Sequence, residues 1–323
     1  MRAAGMDVRN IKRGKMEKAQ MKRHFYLRTI LLGGFLGALL AGHARAATIL
    51  VANDNGGSIN EYNLDGTPVG SGVLVSGLTH PSGLAVSGSD LFVTLGSAGV
   101  VGEYTTSGAT VNASFLSGLS GPTGIAVSGS KLFITNTNAG TIGEYTTSGG
   151  TVNASLITGL NNPVGIAISG SNIFVAELNS VGEYTTSGAT VSASLITGLP
   201  GGAGLAISGS SLFVSNAAGS AGSVGAYTTS GGTTNASLIS VAGGAPGIAT
   251  FGSNLFVSTG LNNGIAEYTT SGTLVNGSLI SGLGYPEGIV VAQDTPEPSS
   301  TSIFVLGFGL VAFFRLRGRR PHV

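Results

Sequence analysis

The chain contains no cysteine. That excludes disulfide staples, thiolate catalysis and zinc–thiolate sites together, and it suits an exported protein that folds without bridges. Charge is scarce, at 9% of residues, and basic charge is nearly missing from the middle: Lys131 is the one Lys or Arg between Ala47 and Asp294. The same stretch carries eleven acids, Asp54, Glu61, Asp65, Asp90, Glu103, Glu144, Glu177, Glu183, Glu267, Glu287 and Asp294, so its net charge is near −10. Such a surface repels a phosphate polyanion, which argues against nucleic acid as a partner. His80 is the one histidine of this stretch. A lone histidine cannot supply a metal triad, and a hydrolytic triad needs an oriented partner. No catalytic residue, metal site or cofactor is expected.

Glycine is abundant, at 55 of 323 residues, but without a collagen-like triplet period. Most of it sits at repeated turn positions. The phrase "PSGLAVSGSDLFVT" at Pro81 returns at Pro122, Pro163, Gly202 and Ala245, and "GEYTTSG" or a close variant follows each copy. The tyrosines of this second phrase, Tyr62, Tyr104, Tyr145, Tyr184, Tyr227 and Tyr268, are 42, 41, 39, 43 and 41 residues apart. A fixed period of this length marks one supersecondary unit that is copied and packed against its neighbours.

Within the copy 77–117, "GLAVS" and "LFVT" read as strands joined by the tight turn "SGS", and "VVGEYTT" and "TVNASFLS" as two more joined by "SGA". Four short strands per period is the spacing of a β-propeller blade, and continuous apolar runs suit sheets covered on both faces. The segment 48–76 has the second, third and fourth strands, and 286–294 has only the first. Joined, they make a sixth blade and close the ring without an open edge. The expected fold is therefore all-β, a six-bladed propeller of four-stranded blades over residues 47–294, with a β-solenoid as the alternative. The pattern P-x-G-[IL]-A-V … LFV … EY … G resembles NHL-type and streptogramin-lyase-like propeller repeats, which implies the fold and leaves the chemistry open.

The two ends read as addresses. Residues 1–20 form a basic upstream extension, and Met21 is the expected start. Lys22, Arg23 and Arg28, an apolar run from Ile30 to Ala41, and Ala44-Arg45-Ala46 make a secretory signal peptide cleaved after Ala46; an N-terminal anchor is the alternative. At the C-terminus, Pro296-Glu297-Pro298 precedes the apolar run Ile303–Phe314 and then Arg315, Arg317, Arg319 and Arg320. This segment, 295–323, closely resembles the PEP-CTERM sorting signal of Gram-negative bacteria. The resemblance implies a transient inner-membrane helix held by its arginines, an exosortase-type processing enzyme as partner, and release to the cell surface or the extracellular space. An ordinary tail anchor is the alternative.

Comparison of the copies with one another locates a binding face. The turns "SGS" and "TTSG" share one rim and barely change. The other rim carries the second-to-third-strand loops and the links between blades, and there the copies differ. Variation confined to one rim marks it as the candidate face. Its polar residues are Asp54, His80, Asn136, Asn138, Asn161, Asn162, Glu177, Asn179, Asn262, Asn263, Tyr285 and Glu287. Amides, acids and an aromatic ring suit a glycan-like ligand, although Asn also simply makes turns. The repeated Glu61, Glu103, Glu144, Glu183 and Glu267 are read as a structural position, not a cation ring. The sequons at Asn112, Asn153, Asn235 and Asn276 are read as products of duplication. The expected function is a non-enzymatic binding or scaffold protein of the surface or matrix, with exopolysaccharide or a surface protein as partner. The alternatives are a lyase or hydrolase of the streptogramin-lyase-like kind and a purely structural matrix component.

Overall fold

A computed structural model describes residues 46–217, 221–260 and 262–293. The signal peptide and the sorting segment expected at the two ends lie outside these residues, as do Pro296, Glu297, Pro298 and the four C-terminal arginines. Among the described residues no helix is long and apolar enough to cross a membrane.

The described residues run through 24 strands. The first three are β1 (Thr48–Asn53), β2 (Ser58–Asn63) and β3 (Pro68–Ser76). Next come β4 (Pro81–Ser87), β5 (Asp90–Leu95), β6 (Val100–Thr105) and β7 (Thr110–Leu116), then β8 (Pro122–Ser128), β9 (Lys131–Asn136), β10 (Thr141–Thr146) and β11 (Thr151–Thr158). They are followed by β12 (Ile166–Ser169), β13 (Asn172–Ala176), β14 (Ser180–Thr185) and β15 (Thr190–Thr197), and by β16 (Gly202–Ser208), β17 (Ser211–Asn216), β18 (Ala221–Thr228) and β19 (Thr233–Ala242). The last are β20 (Ile248–Phe251), β21 (Asn254–Thr259), β22 (Gly264–Thr269), β23 (Leu274–Ile280) and β24 (Pro286–Ala292).

These strands form six sheets of four. Five sheets are consecutive meanders; the sixth has the order β24-β1-β2-β3. The molecule is a six-bladed β-propeller, as the repeat predicts. The closing strand pairs antiparallel with β1, Thr48 opposite Ala292 and Val51 opposite Ile289, before a bulge lets it reach Pro286 opposite Asn53. The expected pairing of 288–292 with 48–52 is met. The arrangement is radial, which disposes of the solenoid alternative.

The second strand of each blade has an apolar run of at least three residues at its middle because both of its faces are covered. Phe92, Phe133, Phe174, Phe213 and Phe256 are at most 2% exposed, and Leu50 holds the equivalent place in the composite blade, opposite Glu61 as Phe92 is opposite Glu103. Six apolar clusters sit between neighbouring blades. One joins Ile49, Val51 and Tyr62 to Phe256, Ile265 and Ile280, so the last full blade packs on the composite one and the ring closes through its core.

Two repeated glycines have steric causes. In "GEY" the tyrosine ring folds back along the strand over the glycine two residues before it. A Cβ at Gly143 would lie 2.6 Å from the Tyr145 ring, and Gly102, Gly182 and Gly225 meet their tyrosines in the same way. In "P-x-G" the glycine touches the next blade. A Cβ at Gly124 would lie 2.2 Å from the Val164 carbonyl oxygen, and one at Gly288 would lie 2.0 Å from that of Ser82. The six copies of this glycine let the inner strands close tightly around the axis.

Candidate functional site

The inner strand of each blade begins at the rim that carries the inter-blade links. There the axis opens into a cavity of about 460 Å³. Its wall is set by the residue between proline and glycine in "P-x-G" and by its neighbours. Around the ring this residue is Ser82, Thr123, Val164, Ala203, Pro246 and Glu287. One arc is thus polar. The opposite arc is aliphatic and is extended by Leu178 and Ala217.

The residue that precedes this triplet turns the chain inward. It is His80, Gly121, Asn162, Gly201, Gly244 or Tyr285, and all six have left-handed backbones, with φ of 47°, 63°, 54°, 85°, 85° and 61°. Three copies use glycine, which takes this conformation freely. A side chain there costs about 1–2 kcal/mol, less for Asn. His80 and Tyr285 carry that cost on the two links that flank Glu287. Strain held by the surrounding structure clusters at functional sites.

The link before β24 is tied down on both sides. The Asp54 N–H donates to the Tyr285 carbonyl at 3.1 Å, and the Asn55 N–H donates to the Gly284 carbonyl at 2.8 Å. The Gly284 N–H donates to Asn53 Oδ1, and the Tyr285 N–H donates to Asn263 Oδ1 at 3.3 Å. Asp54, on the β1–β2 loop, meets His80 Nδ1 at 2.8 Å, with the histidine 57% exposed and the aspartate 16%. Glu287 lies deeper. Burial pushes its carboxyl up to about 7, and Asp54 adds to the rise; His80 and a hydrogen bond from Ser82 oppose it. Tyr285 is raised by burial and by the carboxylates of Glu287 and Asp54.

Asp54, His80, Tyr285 and Glu287 therefore form one group at the mouth. The other sequence candidates are placed differently. Asn136 is buried, and its Oδ1 accepts the Ser120 N–H at 3.3 Å. Glu177 is also buried. Its Oε2 accepts the Asn161 N–H at 2.6 Å, and a hydrogen bond from Tyr184 joins it, the tyrosine being pushed up to about 12 by burial and by this carboxylate. Asn263 is exposed and steadies Tyr285. Asn138, Asn161, Asn162, Asn179 and Asn262 are exposed and spread around the rim. Ser82, Thr123, Leu178 and the aliphatic arc were not among the residues expected from sequence. Their signal was present: the residue before the repeated glycine differs in every copy, while the glycine itself never changes.

The repeated glutamates are held inside their own blades. Thr48 Oγ1 donates to Glu61 at 2.8 Å, Lys131 pairs with Glu144 at 2.6 Å, and Asn172 and Asn254 donate to Glu183 and Glu267 at 2.7 Å each. Among the described residues, no three His, Cys, Asp or Glu side chains are placed to hold a metal ion.

No protein-family model matches the sequence, and no curated protein matches it. Solved structures do. A chain of a nidogen/laminin complex superposes with a TM-score of 0.63 at 17% identity, covering 77% of this chain and all of that one. A gluconolactonase from Xanthomonas campestris gives 0.56 at 17%, covering 66% of this chain and 82% of its own. A virginiamycin B lyase from Staphylococcus aureus gives 0.50 at 19%, covering 75% and 78%. At such identities the likeness is one of fold, shared by a component of a protein–protein complex and by enzymes.

Proposed function

We propose that this propeller is a non-enzymatic binding protein of the bacterial surface or extracellular matrix, with the mouth of the central channel as its binding site and an extracellular polysaccharide as its ligand. The observation that supports the reading is convergence. One loop, two links and the start of β24 bring Asp54, His80, Tyr285 and Glu287 together at the mouth, where Tyr285 and Glu287 line the cavity. Its volume lies in the range of small-ligand pockets, which use a few placed polar groups on a largely apolar wall. The near absence of basic residues disfavours anionic ligands. A glycan array and a pull-down of surface proteins with the purified full chain test the reading. Glycan binding that is lost in Tyr285→Ala is the expected result; binding indifferent to Tyr285 and Glu287 would sink it.

The address proposed for the protein rests on its terminal segments. Export through the signal peptide is followed by exosortase-type processing near Pro296-Glu297-Pro298 and delivery to the surface or medium. Mass spectrometry of the surface and culture fractions checks this. Mature ends near Ala47 and loss of the Arg315–Arg320 segment are expected, whereas an intact "FFRLRGRR" peptide on the mature protein favours a tail anchor.

A second reading has one observation in its favour. A partly buried carboxyl pushed up to about 7, beside an aspartate–histidine pair, has the properties of a general acid. The fold is shared with a gluconolactonase and with virginiamycin B lyase. Turnover of gluconolactone or of virginiamycin B, abolished in Glu287→Gln, would replace binding by catalysis.

A further inference from the structure

The chemistry of the mouth narrows the ligand class. We propose that it captures the free amine of an amino sugar, a de-N-acetylated hexosamine residue of a polysaccharide, with the ammonium between Glu287 and Asp54 and the C–H face of the ring on the aliphatic arc. The proposal rests on the glycan-binding reading above and names the ligand within it.

The charges of the molecule point this way. Lys131 is the single Lys or Arg between Ala47 and Asp294, and it is already paired with Glu144. The basic group that approaches Glu287 is His80, whose Nδ1 is taken by Asp54. The mouth thus holds two carboxyl groups, Glu287 on the cavity wall and Asp54 beside His80, and no strong cation. It is rich in acceptors, so a complementary ligand supplies donors and positive charge.

Shape and strain agree. A hexosamine residue has a hydroxylated edge and an apolar C–H face, and the cavity divides in the same sense, Glu287 and Ser82 on one side and Val164, Ala203 and Pro246 on the other. The left-handed His80 and Tyr285 stand on either side of Glu287 where three other links have glycine. A ring residue at the mouth is the usual platform for a sugar face or a cation.

The titration of the site supports the same assignment. The groups facing Glu287 are Asp54 from the β1–β2 loop, His80 and Ser82 from the link and first residues of β4, and Tyr285 from its own link. Empty, the site keeps a proton on Glu287 near neutrality; an arriving ammonium favours the carboxylate and expels it.

Calorimetry on the purified full chain at neutral pH tests this with three probes: oligomers of glucosamine, of N-acetylglucosamine and of glucose. The glucosamine oligomer should bind about tenfold or more tighter than the other two, the size of one charge-assisted hydrogen bond. Its binding should release a proton, read as a dependence of the heat on the ionisation enthalpy of the buffer. Glu287→Gln, verified as folded by its melting temperature, should remove both the preference and the release, and Ser187→Ala on the opposite rim should keep both. Equal binding of the acetylated oligomer, or a preference that survives Glu287→Gln, overturns the proposal. So does a lysine oligomer that binds as tightly as the sugar, since it places an amine there without the ring. Binding of neutral glycans alone defeats the amine assignment but leaves the glycan reading standing, whereas no binding to any glycan defeats both.

Discussion

The two rims of this propeller are built from nearly the same number of turns, yet they differ in what they repeat. On one rim, Thr105 Oγ1 meets Ser107 Oγ at 2.8 Å and accepts the Ala109 N–H at 3.0 Å, and the same pair of bonds recurs at Thr146, Thr185, Thr228 and Thr269. Five equal copies of a self-satisfied turn have one task, which is to reverse the chain. On the other rim the backbone is equally uniform, with six left-handed links and six close-packed glycines, but the side chains on that frame differ. Duplication supplied a scaffold, and one arc of one rim departed from it. The departure took the form of strained His80 and Tyr285 and a partly buried acid, which a purely structural turn has no use for.

Four tests sharpen or break this comparison. The largest effect belongs to the frame. Gly288→Val places a Cβ 2.0 Å from the Ser82 carbonyl at the junction that closes the ring, and should cost about 3 kcal/mol or more, seen as a lower urea midpoint. Near-normal stability would mean the blades are not held as close as described.

Next is Glu287→Gln, one residue away. Glu287 has its carboxyl at about 7, above the ordinary 4.5. The stability it contributes is therefore full below about pH 4.5 and is lost as pH rises through 7. The glutamine variant should match the parent near pH 5 and exceed it at pH 8 by roughly 3 kcal/mol. A parent whose melting temperature is flat between pH 5 and 8 would contradict the buried acid.

The third test replaces strained residues by the one that another copy uses. His80→Asn and Tyr285→Asn, which adopt the residue found at Asn162, should change stability by no more than about 1 kcal/mol, with relief of the left-handed backbone offsetting lost contacts, while ligand binding fails. Binding that persists would return the two residues to the frame. The smallest effect is expected on the uniform rim. Thr146→Ala removes the exposed pair of turn bonds to Ser148 and Gly150 and should cost about 0.5–1.5 kcal/mol with no change in binding, both measured on one preparation.

Fold and site were legible to different degrees. The blade count, the composite blade and the buried phenylalanines follow from the sequence, because each copy repeats the same apolar run and the same turn. The variable rim was also legible, since the copies disagree there. The selection within it was mixed. Asp54, His80, Tyr285 and Glu287 come together at the mouth, while Asn136 and Glu177 are spent on backbone N–H groups, a use that loop polarity alone cannot distinguish from ligand binding. The cavity wall went unnoticed because its residues lie inside an apolar strand and read as core.

What the sequence alone determined is the unit and its number. Apolar runs, turn glycines and a period of about 41 residues are local properties, and copying them six times leaves little choice but a ring. The tertiary structure decided which residues meet. Asn53 and Gly284 are 231 residues apart in the chain and bonded in the fold, and Asp54 and Glu287 share an electric field only because β24 returns beside β1. Burial and proximity raise an ordinary glutamate to about 7, and both are products of ring closure, since a carboxyl in an extended chain has neither the low-dielectric wall nor the neighbouring charge.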